Sequence, residues 1–209
     1  MTLLARIFSI VFHPLLLATY LFGLLAFVLP IALDPLKEEG YLNFIFLIFC
    51  VTFLFPALNV GIFKTFGSIK TLAMNDRQER ILPFSFIAIL YIVVTYLFYT
   101  RTRIDFNDNL LKFLVIIDAL VFVAAIVTFF YKISVHSMGM CGLIGILVPL
   151  NKISEDGALF YPTIIVVILS GVVMSSRLQL NAHTPREVMI GGMLGFTTSF
   201  TMMLVLFKV

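Results

Sequence analysis

Phe113-Leu-Val-Ile-Ile-Asp118-Ala-Leu-Val-Phe-Val-Ala-Ala-Ile-Val-Thr-Phe-Phe-Tyr131 carries one charged side chain in an otherwise apolar run. Coiled as a helix at ~1.5 Å per residue, it nearly spans the ~30 Å hydrocarbon core of a bilayer. The whole composition agrees with that stretch. Of 209 residues, 61% are hydrophobic and 12% charged, and mean hydropathy is +1.12. Soluble domains carry roughly 25% charged residues, and no single water-soluble core could hide this much apolar surface. The 23 Phe fit a lipid-facing exterior, although the absence of Trp removes one usual interface anchor.

Six other runs are built in the same way: Ile7–Leu33, Leu42–Phe63, Ile81–Thr100, Ile133–Leu150, Ala158–Ser176 and Val188–Phe207. The first is longer than a signal-peptide core and no small-x-small cleavage site follows it, so it reads as a retained span. The uncharged part of Ile133–Leu150 runs only from Ser137, as expected of a half-buried helix that begins in a water-filled cavity. Asp34–Tyr41, Arg101–Lys112 and Asn151–Gly157 are breaks too short to hold a second domain. The expected fold is all-α: a polytopic membrane helical bundle of six to seven transmembrane helices, one domain over residues 1–209, with its site at one membrane face. Cys50 and Cys141 lie inside apolar runs and read as packing residues. The net charge of +3 is spread over loops, which excludes a nucleic-acid footprint.

The remaining three breaks concentrate the chemistry. Lys64–Arg80 holds Lys64, Lys70, Asp76, Arg77, Glu79 and Arg80; Lys132–Ser137 holds Lys132, Ser134 and His136; Arg177–Glu187 holds Arg177, His183, Arg186 and Glu187. Two spans separate each break from the next, so an even number of crossings returns the chain to the same face. Arginine grips phosphate through a rigid fork of donors. Histidine serves as nucleophile or general acid and base, and a carboxylate can orient its ring. Cations, histidines and a carboxylate gathered on one face are the parts needed to attack a phosphate ester.

Ser176-Arg177-x5-His183-x3-Glu187 resembles the third signature of the type 2 phosphatidic acid phosphatase superfamily, Ser-Arg-x5-His-x3-Asp, with glutamate for aspartate. Ser134-Val135-His136 is similar to its second signature, Pro-Ser-Gly-His, with Ile133 and Val135 replacing proline and glycine. The first signature, Lys-x6-Arg-Pro, is echoed in Lys70-x6-Arg77, followed by Gln78, with Arg80 and Pro83 nearby. The resemblance implies a membrane-embedded lipid phosphatase, independent of metal and cofactor, working through a phosphohistidine. By that resemblance His183 attacks phosphorus, Glu187 holds its ring, and His136 protonates the leaving group. Lys70, Arg77 or Arg80, Ser134 and Arg177 bind the phosphate oxygens. The expected partners are a lipid phosphate substrate and the surrounding membrane lipids, with no nucleic acid.

Blander readings stand beside these. Arg177 can anchor a span at the interface, and Thr184-Pro185 with Glu187 can simply start a helix. Lys70, Arg77 and Arg80 can pair with Asp76 and Glu79 in a solvated loop. Asp118 reads as facing the interface near the start of its span, and His13-Pro14 as a kink with a bonded histidine. An alternative function of another class is a catalytically reduced relative that binds or translocates phospholipid head groups without hydrolysis. The loss of the second motif's glycine favours it. With the N-terminus on the active face, Lys and Arg divide eight against six toward that face. Setting aside Lys70, Arg77, Arg80 and Arg177 as ligand-binding leaves four against six, the latter being Lys37, Arg101, Arg103, Lys112, Lys152 and Lys208. The positive-inside rule then gives a site facing outward, as expected of a bacterial inner-membrane protein.

Overall fold

In the computed structural model the described residues are 2–208 except 73, 75, 103, 155 and 156, so Arg103 of the charge count lies outside them. Among the described residues there is no strand. The helices are α1 (Thr2–Val11), α2 (Pro14–Val28), α3 (Tyr41–Phe49), α4 (Phe55–Thr65), α5 (Arg77–Arg101), α6 (Asn109–Phe130), α7 (Val135–Ile153), α8 (Phe160–Gln179) and α9 (Pro185–Phe207). A π-helical segment, Cys50–Leu54, joins α3 to α4 into one rod. Five helical stretches are long and apolar enough to cross a bilayer, or six when α1 and α2 count as one broken span.

Two differences from the sequence reading have physical causes. Ile7–Leu33 is not one helix: α1 and α2 meet at 60° across Phe12–His13, because Pro14 has no N–H to continue α1 and instead opens α2. His13 caps that new start, its Nδ1 accepting the Leu15 amide at 3.4 Å. The second difference is α7, which is not among the bilayer-length apolar helices. Its small and polar residues reflect burial inside the protein: His136, Ser137, Gly142 and Gly145 are all enclosed by neighbouring helices.

Close approach of α7 and α9 organises the interior. A Cβ built on Gly191 lies 2.6 Å from the Ser134 carbonyl oxygen, and one on Gly195 lies closer still to that of Met138. Gly191 and Gly195 are one helical turn apart, the small-xxx-small spacing that lets two helix backbones touch. Around this pair Phe22, Leu25, Leu110, Phe113, Ile116 and Leu147 form a continuous apolar core. The outward faces of α5 and α8 expose Ile89, Tyr96, Ile165 and Ile168.

Candidate functional site

A cavity of about 930 Å³ opens between α1, α2, α4, α5, α6, α7 and the end of α8. Arg80, Lys132, Arg177 and all three histidines of the chain, His13, His136 and His183, line it. Leu21, Ile87, Ile117 and Ile146 continue its wall away from these polar groups. The result is a cavity with a cationic end and an apolar body.

Each polar residue is set by local structure. Thr184 caps α9 by accepting the Glu187 amide at 3.3 Å, and the Glu187 carboxylate returns to the Thr184 amide at 3.4 Å. This reciprocal capping box fixes Glu187. The same carboxylate meets His183 Nδ1 at 2.6 Å. Burial lowers the His183 pKa from 6.5 to about 4, against the raising effect of the Glu187 hydrogen bond, and Arg80 and Arg177 lower it further. His183 is therefore a neutral ring whose Nδ1–H donates to Glu187. The Nε2 lone pair is left without a protein partner among the described residues.

Arg80 is buried; its Nε donates to the Met74 carbonyl at 2.7 Å and its Nη1 to that of Ile133 at 3.2 Å. It thereby ties two loops to the cavity and keeps donor capacity in reserve. Arg177 Nε is buried with no hydrogen-bond partner among the described residues. An unpaired buried donor is costly, and an anion in the cavity would supply what it lacks. His136 directs Nε2 to the Ser9 carbonyl at 3.0 Å, and its ring stands edge-on to that of His13, centroids 5.4 Å apart.

Three predicted phosphate ligands are placed elsewhere. Arg77 Nη1 donates to the carbonyls of Thr128 and Phe129, capping the C-terminus of α6, where a cation meets the negative end of the helix dipole. Lys70 is exposed and does not line the cavity; its backbone amide donates to Glu79. Ser134 is fully buried and caps α7, its Oγ accepting from the Ser137 amide at 3.4 Å and hydroxyl at 2.9 Å. Its own amide donates to the Glu187 carbonyl at 3.1 Å, which clamps the His136 segment to the His183 segment. The structure thus brings together Arg80, His136, Arg177, His183 and, through His183, Glu187.

His13 and Lys132 join that group without having been assigned to the site from sequence. For His13 the available signal was His-Pro within an apolar run: a helix break placed there turns a polar ring inward. No family model, curated protein or solved structure matches this chain.

Proposed function

We propose that this chain is an integral membrane lipid phosphatase that cleaves a phosphomonoester or pyrophosphate head group through a phosphohistidine. The observation that carries the reading is the His183–Glu187 pair at 2.6 Å beside Arg80 and the unpartnered Nε of Arg177. The helices of bilayer length and their exposed apolar faces support membrane residence. The cationic end suits a phosphate and the apolar body suits its lipid tail.

In the proposed reaction His183 Nε2 bonds to phosphorus as the bond from phosphorus to the leaving oxygen breaks. The leaving oxygen takes a proton from the P–OH of the bound phosphate monoanion. Water then attacks phosphorus, the P–N bond breaks, and His183 is regenerated with release of dihydrogen phosphate. Arg80 and Arg177 hold the non-bridging oxygens, so the growing charge meets fixed donors in a low-dielectric site.

One observation favours a second reading, head-group binding or translocation without hydrolysis. His136 Nε2 is held on the Ser9 carbonyl, and a neutral ring so held has no proton on Nδ1 to give. His13 does not lift that objection: its Nδ1 accepts the Leu15 amide, and a neutral ring that gave up its Nε2 proton would be left an imidazolate.

The deciding experiment is phosphate release by purified protein from a lipid phosphate panel, without divalent metal, beside His183→Ala. Release by the parent, none by the variant, and an acid-labile phosphoryl group on the parent after quenching are expected. Equal release by both removes histidine attack. Lipid binding without release from any substrate replaces hydrolysis with the second reading.

A further inference from the structure

Asp118 is the tenth residue of the 22-residue α6, at its middle and not at an interface as its position in the apolar run suggested. The helix begins earlier than that run, at Asn109. A carboxylate at mid-helix in a bilayer-length span is costly, and its neighbours indicate what offsets it. Thr95 on α5 lines the same small void as Asp118. One helical turn before Thr95, Tyr91 donates its hydroxyl to the Thr52 carbonyl at 3.0 Å. That carbonyl is available because Pro56, four residues on, has no N–H to give it.

Thr52 belongs to the π segment, a local geometry common at functional sites. It is 4% exposed, and its own hydroxyl has no partner among the described residues. Thr52, Tyr91, Thr95 and Asp118 all line a void of about 20 Å³, separate from the large cavity but sharing Tyr91 with its wall. That is room for one water-sized occupant, since ~10–15 Å³ suffices. No Lys, Arg or His lines the void.

We propose that these four residues form an intramembrane binding site for a single Na⁺ ion. Three needs meet at this point: a countercharge for Asp118, a partner for the Thr52 hydroxyl, and an occupant for the void. A proton on Asp118 meets only the first. A water meets only the last two. One small monovalent cation meets all three as a single occupant with hard oxygen ligands, where a proton and a water would be needed together, and a divalent ion leaves an excess positive charge. The small void favours Na⁺ over the larger K⁺. The proposal rests on the helices lying in a bilayer and not on phosphatase activity.

Its test is the thermal stability of the purified full chain in NaCl, KCl and choline chloride at equal ionic strength. A saturable rise in Tm of several degrees in Na⁺ alone is expected, because an ion that binds only the folded state stabilises it by mass action. Asp118→Asn and Thr52→Val should each abolish that rise. Thr52→Val should also melt higher than the parent in choline chloride, since it removes an unsatisfied buried hydroxyl. Identical melting of the parent in all three salts overturns the proposal, and that measurement needs no variant to fold. Stabilisation of the parent by acid in place of Na⁺, lost in Asp118→Asn, also overturns it and makes the occupant a proton.

Discussion

At the residue scale, His183 is the group whose protonation matters most. Its pKa in the folded chain, about 4, lies below the ordinary 6.5 because burial disfavours the cation. Folding therefore favours the neutral ring. The associated stability is full above pH 6.5 and is lost as pH falls from there toward 4. His183→Gln, which keeps an amide donor for Glu187, should flatten that part of the Tm–pH profile; a variant profile parallel to the parent's would deny the neutral, buried ring. The two remaining histidines share a tautomer: His13 carries its proton on Nε2, and His136 donates its Nε2 proton to the Ser9 carbonyl. Neither neutral ring has an acidic proton to give, so His13→Gln should change kcat to the same extent for a poor leaving group and for an activated aryl ester, which leaves without a proton. A loss of ~10²-fold confined to the poor leaving group would make His13 the proton donor. The His183–Glu187 pair was legible in the sequence because its two residues stand only four positions apart. His13 was not, because it lies far along the chain from its ring neighbour His136 and only the tertiary fold brings it in.

At the element scale, α7 and α9 position the two halves of the site. The Ser134 amide is bonded to the Glu187 carbonyl, and the Ser134 carbonyl lies against Gly191. In an isolated helix Gly→Ala gains about 1 kcal/mol. Here the added methyl would stand 2.6 Å from a backbone oxygen, which cannot swing aside as a side chain can. Overpacking of this kind costs about 1–3 kcal/mol, so the steric effect wins. Gly191→Ala should lower Tm by a few degrees and, by prising Ser134 from Glu187, lower turnover more than the stability loss explains. The control is Gly171→Ala, since nothing lies within 4 Å of a Cβ there, and it should be neutral or stabilising. If both variants behave alike, the helix contact is not what sets the site. This element logic also explains what the sequence hid. Gly191 was visible as the end of a motif, but its steric role required knowing which helix lay opposite. The polar content of α7 made it look like a short span, when it marks a helix surrounded by protein.

For the molecule as a whole, counting crossings in the sequence gathers the three charged breaks on one face, and the cavity brings together one or more residues of each. That count takes Ile133–Leu150 as a span, whereas α7 is not among the bilayer-length apolar helices, so the second and third breaks are joined by the packing of α7 against α9. The apolar body of the cavity could not be read in advance. Its walls come from many segments, and each contributes residues indistinguishable in sequence from lipid-facing ones. Those walls make a separable claim about substrate. Ala57 on α4 lines the cavity yet is exposed, so enlarging it fills space without displacing a packed neighbour. Ala57→Trp should therefore leave the cationic end untouched and shorten the room for a tail. Lipid phosphates with long chains should show a raised KM or lower turnover, while a short water-soluble phosphate ester keeps its kcat/KM. Equal effects on long and short substrates would place the tail outside this cavity, against the membrane-facing surface. A gain for the short ester alone would instead mean that the bulky side chain excludes water or competing lipid from the head-group end. The chain-length series consequently tests the apolar body independently of the histidine chemistry, because it compares substrates that share one phosphate and differ only in the length of the attached hydrocarbon.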